Sequence, residues 1–106
     1  MSAFAVLAEP NRRRILDLLR ERERPVGDLV EALGVSQPAV SKHLRVLRDA
    51  GAVESRVDAQ RRLYRLRPEP LREIDAWLAP YREQWGESLD ALERHLDRMP
   101  DPRSNA

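Results

Sequence analysis

The sequence predicts a mainly helical fold with one small β-hairpin, in the order α-α-α-α-β-β-α. Apolar residues recur at helical spacing in several stretches before Gly51. The period then shortens to two between Val53 and Leu66, and returns to threes and fours from Leu71 to Met99. A chain of 106 residues has the size of one compact domain, expected over residues 1–99, with residues 69–99 as a C-terminal helix. Residues 100–106 carry no apolar side chain that could pack and are expected to fray as a flexible tail.

Each element has a local cause. Ser2 to Ala8 makes a short apolar helical turn, and a longer helix starts at Pro10, whose missing N–H costs nothing in a first turn. That helix places Ile15, Leu16, Leu18 and Leu19 among arginines and acids up to about Arg22. Arg24-Pro25 interrupts it, because a residue before proline is pushed away from the helical region. Val26, Leu29, Val30 and Leu33 then share one face of a helix that Gly34 ends. Ser36 is an N-cap two residues later, and Pro38 is tolerated in the first turn it opens. The new helix runs to Ala50 and stops at Gly51. Val40, Leu44 and Leu47 fall within one sector, while Pro38, Ser41, Lys42, Arg45 and Asp49 occupy the opposite side.

Val53, Ser55 and Val57 alternate with Glu54, Arg56 and Asp58, and a second strand is read from Leu63 to Leu66. Ala59-Gln60-Arg61-Arg62 is read as the connecting loop. It lacks the glycine that a two-residue type I′ turn favours, which argues against such a turn. In the last helix Leu71, Ile74, Leu78, Tyr81, Trp85, Leu89, Leu92, Leu96 and Met99 form a stripe, with a kink or break expected at Pro80.

Composition removes several function classes. With no cysteine there is no disulfide framework, no thiolate metal site and no thiol chemistry. No apolar run is long enough to span a bilayer, and residues 1–8 lack a basic segment followed by a hydrophobic core, so a cytoplasmic protein without membrane partners is expected. The two histidines, His43 and His95, lie on separate helices, and neither a nucleophile-base pair nor a phosphate loop is evident, which argues against an enzyme.

The net charge of +1 hides an asymmetry. Residues 1–35 balance, residues 36–67 carry 8 basic against 3 acidic side chains, and residues 68–106 carry 5 against 9. A basic centre beside an acidic helix is what a polyanion-binding surface with a separate partner surface looks like; a solvated charged surface is the alternative.

Two helices joined by Gly34-Val35-Ser36, with a hairpin after them, have the order of a winged helix-turn-helix. A helix entering the major groove needs small residues and mixed donors and acceptors at its N-terminal end. Gln37 can pair with adenine, Pro38 belongs to the small N-terminal end, Ser41 can reach either a base edge or a phosphate, and Lys42 and Arg45 can reach guanine or the backbone. Arg48 extends that side. Arg61 and Arg62, with Arg56 across the hairpin, form a basic wing. His43 borders the core face and reads equally as a half-buried structural residue or a DNA contact.

The segments Leu7 to Leu16, Val26-Gly27-Asp28-Leu29, Ser36 to Leu47, Gly51-Ala52-Val53 and Tyr64-Arg65-Leu66 resemble the ArsR family of bacterial winged-helix repressors. The resemblance implies a dimer whose first and last helices form the interface, with Ser36 to Leu47 as the recognition segment, and repression by occluding a promoter, frequently the protein's own. Metal-sensing members carry a cysteine pair on the helix matching Val26 to Leu33. Here that helix offers Val26, Asp28 and Glu31, and the last helix holds only His95 with Asp90, Glu93 and Asp97 nearby, so neither a metal nor another cofactor is expected.

The apolar stripe on the last helix is large for so small a core. A second copy of the chain is expected to cover it, through Phe4, Leu7, Leu71, Trp77, Leu78, Tyr81, Trp85, Leu89, Leu92 and Leu96. The reading is therefore a homodimeric repressor of double-stranded DNA that binds an imperfect palindrome, with its effector unknown. The rival is a protein-interaction module on the same scaffold.

Overall fold

The computed structural model describes residues 2–98. The order is α1 (Ala3–Leu7), α2 (Pro10–Glu21), β1 (Arg24–Pro25), α3 (Val26–Leu33), α4 (Gln37–Asp49), β2 (Val53–Asp58), β3 (Arg61–Leu66) and α5 (Glu69–Arg98). The fold is mainly helical with a small antiparallel sheet. Met99 and residues 100–106, the end of the expected helix and its tail, lie outside the described residues.

The chain divides between Ile74 and Asp75 into two compact units. The first holds the core, where Ile15, Leu16 and Leu19 of α2 meet Leu29 and Leu33 of α3, Val40, Leu44 and Leu47 of α4, and Val53 of β2. These are the apolar positions of the sequence pattern, and burying each is worth roughly 1.5–3 kcal/mol against leaving it in water.

Caps fix the helix ends. Ser2 Oγ accepts from Ala5 N–H at the start of α1, and the Glu9 carboxylate accepts from Arg12 N–H at the start of α2. Arg12 donates to the carbonyls of Ala5 and Val6, and Arg13 to that of Leu7, so two arginines of α2 hold the C-terminal end of α1. Arg14 does the same for α3, donating to the carbonyls of Ala32 and Leu33. Gly34 takes φ 70° as the residue after α3, and Ser36 Oγ then accepts from Ala39 N–H. Gly51 takes φ 77°, and Ala52 N–H bonds back to Leu47 O while Gly51 N–H bonds to Arg48 O, the paired bonds of a Schellman ending.

Three details differ from the sequence reading. The hairpin is part of a three-stranded sheet in the order β1-β3-β2, since Arg24 and Pro25 pair with Tyr64 and Leu63. Proline is confined to such an edge because it has no N–H for a second neighbour. Arg61 and Arg62 belong to β3 rather than to a loop, because Asp58 pairs with Arg61 and only Ala59-Gln60 connect the strands. That two-residue turn is made without glycine: among non-glycine described residues Ala59 alone has positive φ, at 56°. A left-handed residue at the first turn position only is the pattern of type II′ rather than I′. Finally, of the kink or break expected at Pro80 the break does not occur, since α5 runs as one helix through it. Pro80 and the preceding turn at Ala76 are exposed, so water can serve the carbonyl left without a donor.

In the second unit the helix shows Trp77, Tyr81, Trp85, Leu89, Leu92 and Leu96 to solvent, with Trp85 52% and Leu89 65% exposed. The Trp77 and Tyr81 rings lie 4.9 Å apart at 40°. Among the described residues no helix is long and apolar enough to cross a membrane.

Candidate nucleic-acid interface

The first residues of α4 are small or polar, and its buried face anchors it to the core through Val40, Leu44 and Leu47. What remains outside is Gln37, Pro38, Ser41, Lys42, Arg45, Arg48 and the single acid Asp49, all exposed. The 13-residue helix thus presents one continuous polar side directly after a fixed turn.

The sheet register decides how the wing meets this side. Paired residues share a face, so Val57 with Arg62 and Ser55 with Tyr64 lie on one face, while Asp58 with Arg61, Arg56 with Leu63 and Glu54 with Arg65 lie on the other. Ser41, Leu44, Arg45, Arg48, Arg62 and Tyr64 line a single depression. Arg62 therefore joins the α4 cations, while Arg61, its neighbour in sequence, does not.

The charges on the two faces are handled differently. Arg61 pairs with Asp58 at 3.6 Å, Arg56 with Glu23 at 2.9 Å, and Arg67 with Glu54 at 2.8 Å; Arg65 also binds Glu54. Partial burial opposes ionisation of Glu54, but hydrogen bonds and charge from Arg67 and Arg65 outweigh it and hold its carboxyl below the usual range. Lys42, Arg45, Arg48 and Arg62 make no ion pair among the described residues. Four uncompensated cations on one side are available to an external anion.

Of the residues expected to bind DNA, Ser41, Arg45, Arg48 and Arg62 are brought together, and Gln37, Pro38 and Lys42 lie on the same helix. Arg56 and Arg61 face away and are neutralised. His43 stands apart as well: its side chain is mostly buried, Nε2 lies 3.7 Å from Glu9 Oε2, and Nδ1 has no partner. This is the half-buried one of its two sequence readings. Tyr64 is a lining residue that the sequence reading left out, although its spacing of two from Arg62 on one strand was the signal for it.

Of the expected partner surface, Leu7 and Leu71 line a common depression with Leu16 in the first unit, and Phe4 is 41% exposed. Trp77, Leu78, Tyr81, Trp85, Leu89, Leu92 and Leu96 lie along α5 in the second unit. Among the described residues, His95 and its neighbouring acids are exposed, and no three His, Asp or Glu side chains form a cluster that could hold a metal.

Comparison with known proteins places the fold in a known family. The profile described as "Bacterial regulatory protein, arsR family" matches residues 9–55. HTH-type transcriptional regulator Rv2034 of Mycobacterium tuberculosis is 35% identical over 99 residues, covering 93% of this chain and 90% of that protein. Transcriptional repressor SdpR of Bacillus subtilis is 31% identical over 77 residues, 73% of this chain and 86% of the relative. A crystal structure titled as a possible transcriptional regulator for arsenical resistance superposes with a TM-score of 0.68 at 36% identity, covering 95% of this chain and 99% of the other.

Proposed function

The chain belongs to the ArsR family of bacterial DNA-binding transcriptional regulators, and from that premise we propose that it is a homodimeric repressor acting at an imperfect palindrome. In this reading residues 1–99 work as one winged-helix domain with its dimerisation helix, and the protein is cytoplasmic, without metal or other cofactor. SdpR of Bacillus subtilis is named as a transcriptional repressor, and blocking a promoter by occupancy needs no catalytic group.

The observation that carries the reading is the exposed side of α4, set by the Gly34 and Ser36 caps and continued by Arg62 of the wing. Gln37, Pro38, Ser41 and Lys42 meet base edges in the major groove, where Gln37 has the donor-acceptor pair that suits adenine. Arg45, Arg48 and Arg62 bind the backbone, with Arg56, Arg61 and His43 peripheral. A second copy of the chain covers the apolar side of α5 together with Phe4 and Leu7, and two-fold symmetry then sets two α4 helices one helical turn, or a multiple of it, apart along the duplex.

Footprinting on the upstream region of the chain's own gene tests the proposal. A protected palindrome is expected, and Gln37→Ala with Ser41→Ala should abolish discrimination between it and random duplex while leaving weak binding. Retained discrimination removes the recognition assignment. No protection of any promoter fragment, with capture of another polypeptide on α5, is the outcome of the protein-interaction alternative.

A further inference from the structure

The depression between α4 and β3 has a composition that base reading does not need. It is lined by three guanidinium groups (Arg45, Arg48 and Arg62), two hydroxyls (Ser41 and Tyr64) and the floor of Leu44, with no carboxylate among its lining residues. The depression is open to solvent and holds about 200 Å³, enough for a tetrahedral anion to enter between these side chains. The arginines come from two elements, α4 and β3, and none of them is engaged by an acid among the described residues.

A guanine edge in the major groove offers two acceptors, which a single guanidinium fork already fills. Three forks around one hollow exceed that need. The oxygens of a phosphodiester can accept from several donors at once, and planar guanidinium groups suit them bidentately. Ser41, Arg45 and Arg48 stand four and three residues apart on one helix face, so their donors descend along one side of the hollow and Arg62 closes it from the strand.

We infer that this hollow is a clamp for one DNA phosphate per subunit, held jointly by α4 and the wing. The inference rests on the DNA-binding reading and divides its labour: Gln37 and Lys42 report sequence, Ser41 stands where base edge and hollow meet, and the arginines of the clamp set how deep and at what angle α4 enters the groove. Arg62 is thereby a positioning residue as well as a source of charge, since it ties the wing to the same phosphate as the helix.

The experiment measures affinity for operator and random duplexes against salt for the full chain and for Arg48→Ala, Arg62→Ala and the double variant, with thermal melts confirming that each folds. Neutralising one phosphate accounts for about 0.9 of the slope of log affinity on log salt. Because both arginines hold the same phosphate, the double variant should lose about one unit of slope rather than about two, equally on both duplexes. Operator duplexes carrying one neutral methylphosphonate at a time should then reveal a single position per half-site whose neutralisation weakens the parent chain but not the double variant.

Additive slope losses, or no methylphosphonate position coupled to Arg48 and Arg62, overturn the clamp and leave the DNA reading standing. Absence of duplex binding by the parent chain overturns the DNA reading itself. Inorganic phosphate titrated without DNA separates the sources: displacement of Tyr64 and Ser41 resonances at low phosphate, with no coupled duplex position, assigns the hollow to a free anion and also overturns the clamp.

Discussion

The two faces of the wing do opposite things with their arginines. On one face Arg56, Arg61, Arg65 and Arg67 are consumed by Glu23, Asp58 and Glu54. On the other, Arg62 stands beside Arg45 and Arg48 with no acid in the shared hollow. Arg61 and Arg62 are adjacent in sequence, and the two-residue periodicity of a strand alone sends them to different fates. What distinguishes the proposed binding surface is the absence of internal partners, not the density of positive charge.

Charge reversal should break this comparison most sharply. Arg62→Glu is expected to weaken duplex binding at least tenfold at low salt, because it places an anion in the proposed phosphate clamp. Arg61→Glu, on the neutralised face, should change it by less than threefold by the same screening argument. Titrating both variants against one operator checks the pair, and equal losses would erase the distinction between the faces.

The turn that sets the register is the next lever. Ala59 holds a left-handed φ that costs an L-residue roughly 1–2 kcal/mol, so Ala59→Gly should stabilise the chain by about 0.5–1 kcal/mol after the added freedom of glycine in the unfolded state is subtracted. A higher melting temperature with unchanged DNA affinity is the expected result; a fall would show that the turn differs from the one described.

The smallest effect concerns the paired face alone. Glu54 is held below its ordinary value by Arg67 and Arg65, and Glu69 by its own backbone N–H and then by Arg67, although partial burial opposes both. A depressed folded-state value gives stability that is present above the unfolded value and lost as pH falls through the folded one. Acid should therefore loosen this face, and Glu54→Gln should flatten the acid limb of a plot of melting temperature against pH without altering DNA binding near neutrality.

Much of this was legible in the sequence where local chemistry acts alone. Gly34, Ser36 and Gly51 fixed the limits of α3 and α4, and the apolar sector of α4 left its outer side as the candidate surface. The strand β1 was not legible, because two residues ending in proline acquire strand character only from β3 beside them. The start of β3 was hidden by a turn without glycine, and the continuity of α5 through Pro80 depends on solvent around the proline. The partition of the arginines was beyond reach for a related reason. A shift of one residue in register exchanges Arg61 for Arg62, so placing the charges required the turn to be placed first.

The arginines at the start of α2 have a consequence for the other end of the molecule. Five residues are far too few to sustain a helix in water, where roughly 12–15 are needed for even marginal order. The winding of α1 is therefore conditional on Ser2 at its head, on Arg12 and Arg13 at its tail, and on the burial of Ala3 and Val6 against the core. Its backbone amides should exchange with solvent faster than those of α3 and α4, through openings that leave the rest of the fold intact. Phe4 and Leu7 are thus displayed by a segment whose order is a local equilibrium, and a partner that grips them draws that equilibrium toward the wound state.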